Sequence, residues 1–511
     1  MESTQLHHVD CNGRIGSLRW GVERSNLTVT LARQCYPQAE EHGKIYFHDI
    51  GDYLTREQKL EVVSEFGSIA GITQKSGWQM IEPDEFGDWL NQRDPFFDTY
   101  MALGDKKDKA AAEIFDNYSR GVETSRDAWV YNYSESKLKN VVEEMVDFYN
   151  SEVKKISGLS VPKEEHADYI DFNTQKISWG RAIKNDLLKL KSHTIDRSGY
   201  RTSLYRPFTK SNFYFDNNFN NMVYQMHKFF PQRDSANLVI CLTLAGTKGF
   251  SVLISDTLPD LHLVGDAQCF PFYLYESNED QSDDLLSQGG SGHVRKDAIT
   301  NDALEHFQSA YPSSTITKED IFYYIYSLLH SEEYRERYAD NLIKQLPRIL
   351  RMKQYGDFVA FAQAGRDLAA LHLNYESVDL NTQVTLGGSL GLRVTEQGVK
   401  GGQDADFTVT KIKPAKRGEK SKVIYNSKIT IENIPEEAYD YVVNGKPALE
   451  WVMERQAVTT DKKSGIVNDA NDWAVETMDN PRYPLELFLR VITVSLETQK
   501  IVRGLPKLDI L

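Results

Sequence analysis

The sequence predicts a mixed fold of the α+β class, spread over more than one domain. Three observations carry that expectation. Stretches of helical period open on capping residues, β-branched runs are broken by glycine, and the chain has 511 residues where one domain usually takes about 100–200. With 40% hydrophobic and 26% charged residues, it has the composition of a globular protein able to bury a core.

Residues 27–47 offer two short β-like runs around a polar turn. Thr55 caps a predicted helix in which Leu60, Val63 and Phe66 recur at helical spacing. Residues 137–153 repeat the pattern, with Leu138, Val141, Val142, Met145 and Phe148 on one stripe. From about Tyr200 the texture turns to β. "NLVICLTLAGTKGFSVLISD" alternates β-branched and small residues around Gly246 and Gly249, as a hairpin does. Residues 277–296, "SNEDQSDDLLSQGGSGHVRK", are poor in apolar side chains, and a disordered loop is expected there. Thr317 with Asp320 opens a helix whose Ile321, Tyr324, Ile325, Leu328 and Leu329 share a face. Ser331 caps a second one carrying Tyr334, Tyr338 and Leu342, which Pro347 stops. Residues 382–434 return to β, and "PLELFLRVITVSLETQKIV" reads as a final helix.

Several chemistries lack their residues. No apolar run approaches the roughly 20 residues of a membrane span, and Met1–Arg14 has no signal-peptide core. Cys11, Cys35, Cys241 and Cys269 stand far apart in the chain, which argues against structural zinc and for a reducing cytoplasm. There is no GxxxxGK[ST] loop, no GxSxG elbow and no HExxH helix. An amino-methyltransferase acting on a flipped base needs an Asn/Asp-Pro-Pro-aromatic loop, and no Pro-Pro pair occurs. Pro83-Asp84 is not followed by a D/E-x-K on a strand, and Asp105 and Lys107 stand in a loop-like run, so no nuclease centre is indicated. His330, at the seam of two helices, is expected to cap or edge the core rather than to hold a metal.

Surfaces that bind remain. The net charge of −15 opposes nucleic-acid binding, because phosphate neutralisation supplies most non-specific affinity. A groove responds to local charge, however, and the charge is uneven. "KIKPAKRGEKSK" sets Lys411, Lys413, Lys416, Arg417, Lys420 and Lys422 against the single acid Glu419. It reads either as a solvated hairpin tip or as a phosphate-contacting segment. The second candidate is "SLYRPFTKSNFYFDNNFNNMVYQMHKFF", dense in rings around a Tyr-Arg-Pro-Phe tetrad, with Arg206, Lys210 and Asn212 as candidate DNA contacts. Pro207 holds Arg206 out of helical conformation. Between Tyr205 and Phe208 the guanidinium can stack while offering its fork to guanine or phosphate. Alternatively it pairs with a carboxylate such as Asp216 and buttresses the fold.

In the same order along the chain stand "GKIYFHDIGDYLTREQKL", "YSRGVETSRDAWVYNYS", "LYRPFTKSNFYFD", "KGFSVLISDTLPDLHLVGDAQCFPFYLYE", "DIFYYIYSLLHSEEYRERYADNLIKQLPRI" and "DYVVNGKPALEWVMERQAVTTDKKSGIVNDANDWA". On these stretches, from about residue 43 to the end, the chain resembles the C-terminal part of type ISP single-polypeptide restriction-modification enzymes. The resemblance implies that residues 1–199 form the helical and β tail of an adenine-specific DNA methyltransferase module. Residues 200–511 would then form a mixed-sheet target-recognition domain for duplex DNA. It departs from the family at Thr209-Lys210-Ser211, where an Asp and then a basic residue usually follow the tetrad. The implied partners are double-stranded DNA and a methyltransferase, helicase and nuclease region on the same or another chain. No cofactor is expected in this chain; S-adenosylmethionine, ATP and Mg belong to the full-length family. Half of a split methyltransferase, or a remnant that no longer binds DNA, are the alternative readings.

Overall fold

The computed structural model describes the backbone of residues 6–9, 15–18, 31–32, 45–50, 54–75, 78–106, 111–246, 249–277 and 293–511. These fall into two compact units, Met1–Asp94 and Pro95–Leu511.

In the first unit, Leu31–Ala32, Ile45–Phe47 and Gln79–Ile81 form an antiparallel sheet. The helix Arg56–Phe66 opens on the expected cap: Thr55 and Gln58 satisfy each other's backbone N–H groups in a capping box. Its apolar residues do not face a core: Leu60 and Val63 are exposed and no residue of the helix is buried.

The second unit carries the core. Ser134 caps the helix Glu135–Ser157, longer at both ends than its 137–153 stripe, and Leu138, Val142, Met145, Val146, Tyr149 and Val153 are buried along it. Two four-stranded sheets lie beside it in the sequence. One runs Leu258–Pro259, Tyr200–Arg206, Thr209–Tyr214, Tyr131–Asn132; the other runs Val252–Ser255, Val239–Leu242, Gln268–Pro271, Ser119–Arg120. Each sheet therefore joins strands from both sides of residue 200, within the one compact unit Pro95–Leu511. The expected hairpin of residues 237–256 is present, with Val239 opposite Ser255 and Leu242 opposite Val252. Cys241 and Cys269, far apart in sequence, are buried register partners on adjacent strands and are both free.

Of the loop expected over residues 277–296, residues 278–292 lie outside the described residues. Its ends are ordered strands: Tyr273–Ser277 pairs with His293–Asp297, a correction to the expectation there.

The helix Lys318–Leu328 starts at a Thr317–Asp320 capping box and packs on Tyr355–Leu373. The two backbones approach so closely at Gly365 that a Cβ there would overlap the Tyr323 carbonyl, which is why a glycine interrupts this helix. The second expected helix is two, Glu332–Arg337 and Ala339–Lys344, broken at Tyr338. His330 is buried at the helix end, its Nδ1 2.8 Å from the Tyr326 carbonyl, and burial drives its pKa well below the usual histidine range. The neighbouring His372 links the Tyr326 hydroxyl (2.6 Å) to Thr498 Oγ1 (2.8 Å). Thr498 lies on the C-terminal helix Tyr483–Arg503. Among the described residues no helix is long and apolar enough to cross a membrane.

Candidate nucleic-acid interface

The basic run is a hairpin. Lys413–Pro414 pairs antiparallel with Lys422–Ile424 at the edge of a sheet ordered Thr385–Gly387, Thr430–Glu432, Lys422–Ile424, Lys413–Pro414. Its tip carries Lys416 and Arg417 and turns at Gly418 (φ 81°). Proline and lysine suit an edge strand: the one needs no ladder partner, and the other discourages strand addition.

The six cations differ in their surroundings. Lys422 Nζ meets Glu432 Oε1 across the strands at 2.6 Å, and Lys420 Nζ stands 3.8 Å from Glu436 Oε1. Lys411, Lys413, Lys416 and Arg417 are exposed, and among the described residues no carboxylate pairs with them. The segment leading into the hairpin alternates. Phe407, Val409 and Ile412 are buried while Thr408, Thr410, Lys411 and Lys413 face outward. Asn471 fixes that alternation by clamping Val409, accepting from its N–H at 2.9 Å and donating to its carbonyl at 2.8 Å. The result is an open groove of 580 Å³ in which Lys411 and Lys413 stand beside the hydroxyls of Thr408, Thr410 and Ser427. Lys428, also in the groove, is held by Asp406 at 2.6 Å. Unpaired ammonium groups flanked by hydroxyls suit phosphate contact with some capacity for base edges. The sequence reading did not single out Thr408 and Thr410; the alternation over residues 407–413 was the signal for them.

Of the aromatic tetrad, Arg206, Pro207 and Phe208 are buried and Tyr205 is half-buried. Tyr200–Arg206 and Thr209–Tyr214 form a hairpin joined by Pro207 and Phe208. Since Pro207 fixes a negative φ, the left-handed residue is Phe208 (φ 55°). That uncommon conformation is held because the Phe208 ring is buried, 5.4 Å from Tyr375 and 6.1 Å from Tyr441.

Arg206 is 8% exposed. Its Nη1 donates to Asp260 Oδ1 at 2.6 Å, its Nη2 stands 3.3 Å from Asp127 Oδ2, and the guanidinium lies 3.9 Å over the Tyr205 ring. The fork is spent on carboxylates, as in the alternative reading of Arg206 as a buttress of the fold and not as a DNA contact. The stacking on Tyr205 is as expected, but the acids are Asp260 and Asp127 and not Asp216. Asp216 closes its own turn, accepting from the N–H groups of Asn218 and Phe219. Asp260 also accepts from the Tyr131 hydroxyl at 3.1 Å and the His262 N–H at 2.8 Å. Burial pushes its carboxyl up to about 6 in spite of Arg206.

The other two candidates nearby are likewise engaged. Lys210 Nζ pairs with Glu376 at 3.0 Å, and Asn212 donates to the Tyr133 carbonyl at 3.0 Å. The structure therefore separates the nine expected contacts: four unpaired cations at the sheet edge, two paired ones beside them, and three residues that hold the core together.

Comparison with known proteins agrees with the resemblance. The family model described as "Type ISP C-terminal specificity domain" matches residues 113–487. Three solved structures are similar. A nuclease-deletion mutant of the Type ISP restriction-modification enzyme LlaGI, in complex with a DNA substrate mimic, is 36% identical with a TM-score of 0.77, over 92% of this chain and 34% of its own. The ATP-dependent Type ISP restriction-modification enzyme LlaBIII bound to DNA is 34% identical with a TM-score of 0.76, over 92% of this chain and 28% of its own. The DrdV–DNA complex is 31% identical with a TM-score of 0.71, over 90% of this chain and 43% of its own. The chain thus spans less than half the length of each of these proteins. No curated protein matches it. With a family model covering most of its length, the chain belongs to the Type ISP C-terminal specificity domain family.

Proposed function

We propose that this chain is the DNA target-recognition region of a Type ISP restriction-modification enzyme, reading a short asymmetric duplex sequence. The observation that carries the reading is the likeness over 92% of the chain, at a TM-score of 0.77, to a Type ISP enzyme held on a DNA substrate mimic. The fold supplies a surface to match: an edge hairpin whose Lys411, Lys413, Lys416 and Arg417 are free to neutralise phosphates, above a groove with exposed hydroxyls. Phosphate contacts would set the register of the duplex, and the groove residues would sample base edges. Residues 200–511 carry the recognition surface in this reading, and residues to about 199 form the methyltransferase-facing end. S-adenosylmethionine, ATP and Mg serve other parts of such an enzyme. The net charge of −15 is offset locally, since Lys411, Lys413, Lys416 and Arg417 stand together on one edge without acidic partners among the described residues.

The test is fluorescence anisotropy of a labelled duplex over a series of salt concentrations. The observed association constant is expected to fall linearly with salt on logarithmic axes, by about 0.9 in slope for each phosphate contacted. Absence of duplex binding at low salt would overturn the reading.

A further inference from the structure

A second groove, of 790 Å³, is lined by the segment from Ser125 to Trp129, by Phe172 and Trp179, by Lys184, and by the turn at Asp461–Lys463. That turn joins Val458–Thr460 to Val467–Asp469. Arg126 in its wall is only 2% exposed. Its Nη1 donates to the Phe219 carbonyl at 3.0 Å, but its Nε has no acceptor. Among the described residues no carboxylate pairs with it, and burial pulls its guanidinium down to about 10. Gly180 makes room for it, since a Cβ there would stand 2.8 Å from Arg126 Nη2. Trp179, which lines the same groove, carries in its Nε1 a second buried donor without an acceptor.

Buried donors are nearly always satisfied, and an unpaired buried cation is the costliest exception. Both unsatisfied atoms here are donors, so the missing partner is an acceptor. The outer wall has the same sign. Lys462 and Lys463 are exposed at the turn, and Lys184 Nζ lies 4.8 Å over the Phe172 ring. The two acids of the groove are already occupied. Asp127 accepts from Thr124, Tyr205 and Arg206, and Asp461 from the backbone of Lys463 and from Ser464.

We propose that this groove is an oxyanion site that takes a phosphate group, with Arg126 as its buried cation, Trp179 as a neutral donor, and Lys184, Lys462 and Lys463 as its outer field. Resting on the DNA-reading proposal, the favoured source is a backbone phosphate of the duplex; free phosphate has the same chemistry. Arginine suits such a site because its planar fork matches phosphate oxygens.

Two measurements on the full chain test it. In the first, inorganic phosphate is titrated at constant ionic strength set with chloride, and the melting temperature is followed. A saturable rise in the wild type that is lost in Arg126→Met is expected. In the second, the exposed pair Lys462→Gln/Lys463→Gln, chosen to leave the fold intact, is tested for duplex binding. An affinity loss of about tenfold or more at roughly 0.1 M salt, equal for all sequences, with a salt slope shallower by about 1–2, is expected. Stabilisation by phosphate without any duplex binding would keep the site, assign it to free phosphate and sink the DNA reading. A loss of duplex affinity without stabilisation by phosphate would assign the site to the DNA backbone. Unchanged duplex affinity in the lysine variant together with no phosphate effect in the wild type would overturn the site and leave the DNA reading standing.

Discussion

Arg206→Met is expected to lower the unfolding free energy by about 3–5 kcal/mol, the usual cost of breaking a buried ion pair by removing one partner. Asp260 is 2% exposed, so its carboxylate would be left among the Tyr131 hydroxyl and the His262 N–H with no cation at 2.6 Å. The loss has a pH signature. Burial already holds the Asp260 carboxyl at about 6, above the roughly 3.9 of an unfolded aspartate. The stability this group contributes is therefore complete below about pH 4 and is lost as pH rises through its folded value. Without the guanidinium the folded value moves higher still, so the deficit of the variant should be smallest in acid and widen from pH 5 to pH 8. Urea unfolding of wild type and variant at the two pH values measures this. Adding Asp260→Asn to the variant should recover part of the loss at pH 8, as the coupling of a direct pair requires. A deficit that does not vary with pH would mean that the two charges are not linked as the geometry indicates.

Neutralising the sheet edge should have the largest effect on binding. Lys411→Gln, Lys413→Gln, Lys416→Gln and Arg417→Gln together are expected to cost on the order of 10³-fold in duplex affinity at roughly 0.1 M salt, and to make the salt slope shallower by roughly 3–4. The loss should be equal for all sequences, since phosphates carry no sequence information directly. Stability should change little, because these side chains are exposed and without acidic partners among the described residues. Lys420→Gln and Lys422→Gln are expected to matter less, as Glu436 and Glu432 already occupy those ammonium groups. Titration of the same labelled duplex checks all of these. Unchanged affinity in the fourfold variant would show that the DNA faces another surface.

What could be read from the sequence was local. The cap at Thr55, the capping box at Thr317, the stripe from Leu138 to Phe148, the hairpin around Gly246 and Gly249, and the basic turn at 411–422 each depend on residues a few positions apart. What could not be read depends on distant contacts. Asp216 was the natural partner for Arg206 by proximity, yet Asp260 and Asp127 hold it, 54 and 79 positions away. Asn212, a plausible reader of bases by type, is spent on the carbonyl of Tyr133, 79 positions earlier. The break at Tyr338 was hidden because its ring continues the helical stripe; Tyr338 and Phe97 rings meet at 4.8 Å from distant segments. The Arg126 groove draws on residues near 126, 179 and 462, and nothing in their spacing brings them together. At Leu60 and Val63 the helical period was legible, but the exposure of both side chains depends on what packs around the helix and not on its period.

The most direct measurement is selection of this chain's ligands from a random duplex DNA library at low and at near-physiological salt. Specific sites typically bind about 10³–10⁷ times more tightly than random duplex, so one short asymmetric consensus, retained at the higher salt, is the expected result. Recovery of duplexes without a consensus at either salt would contradict the claim that this chain reads DNA sequence.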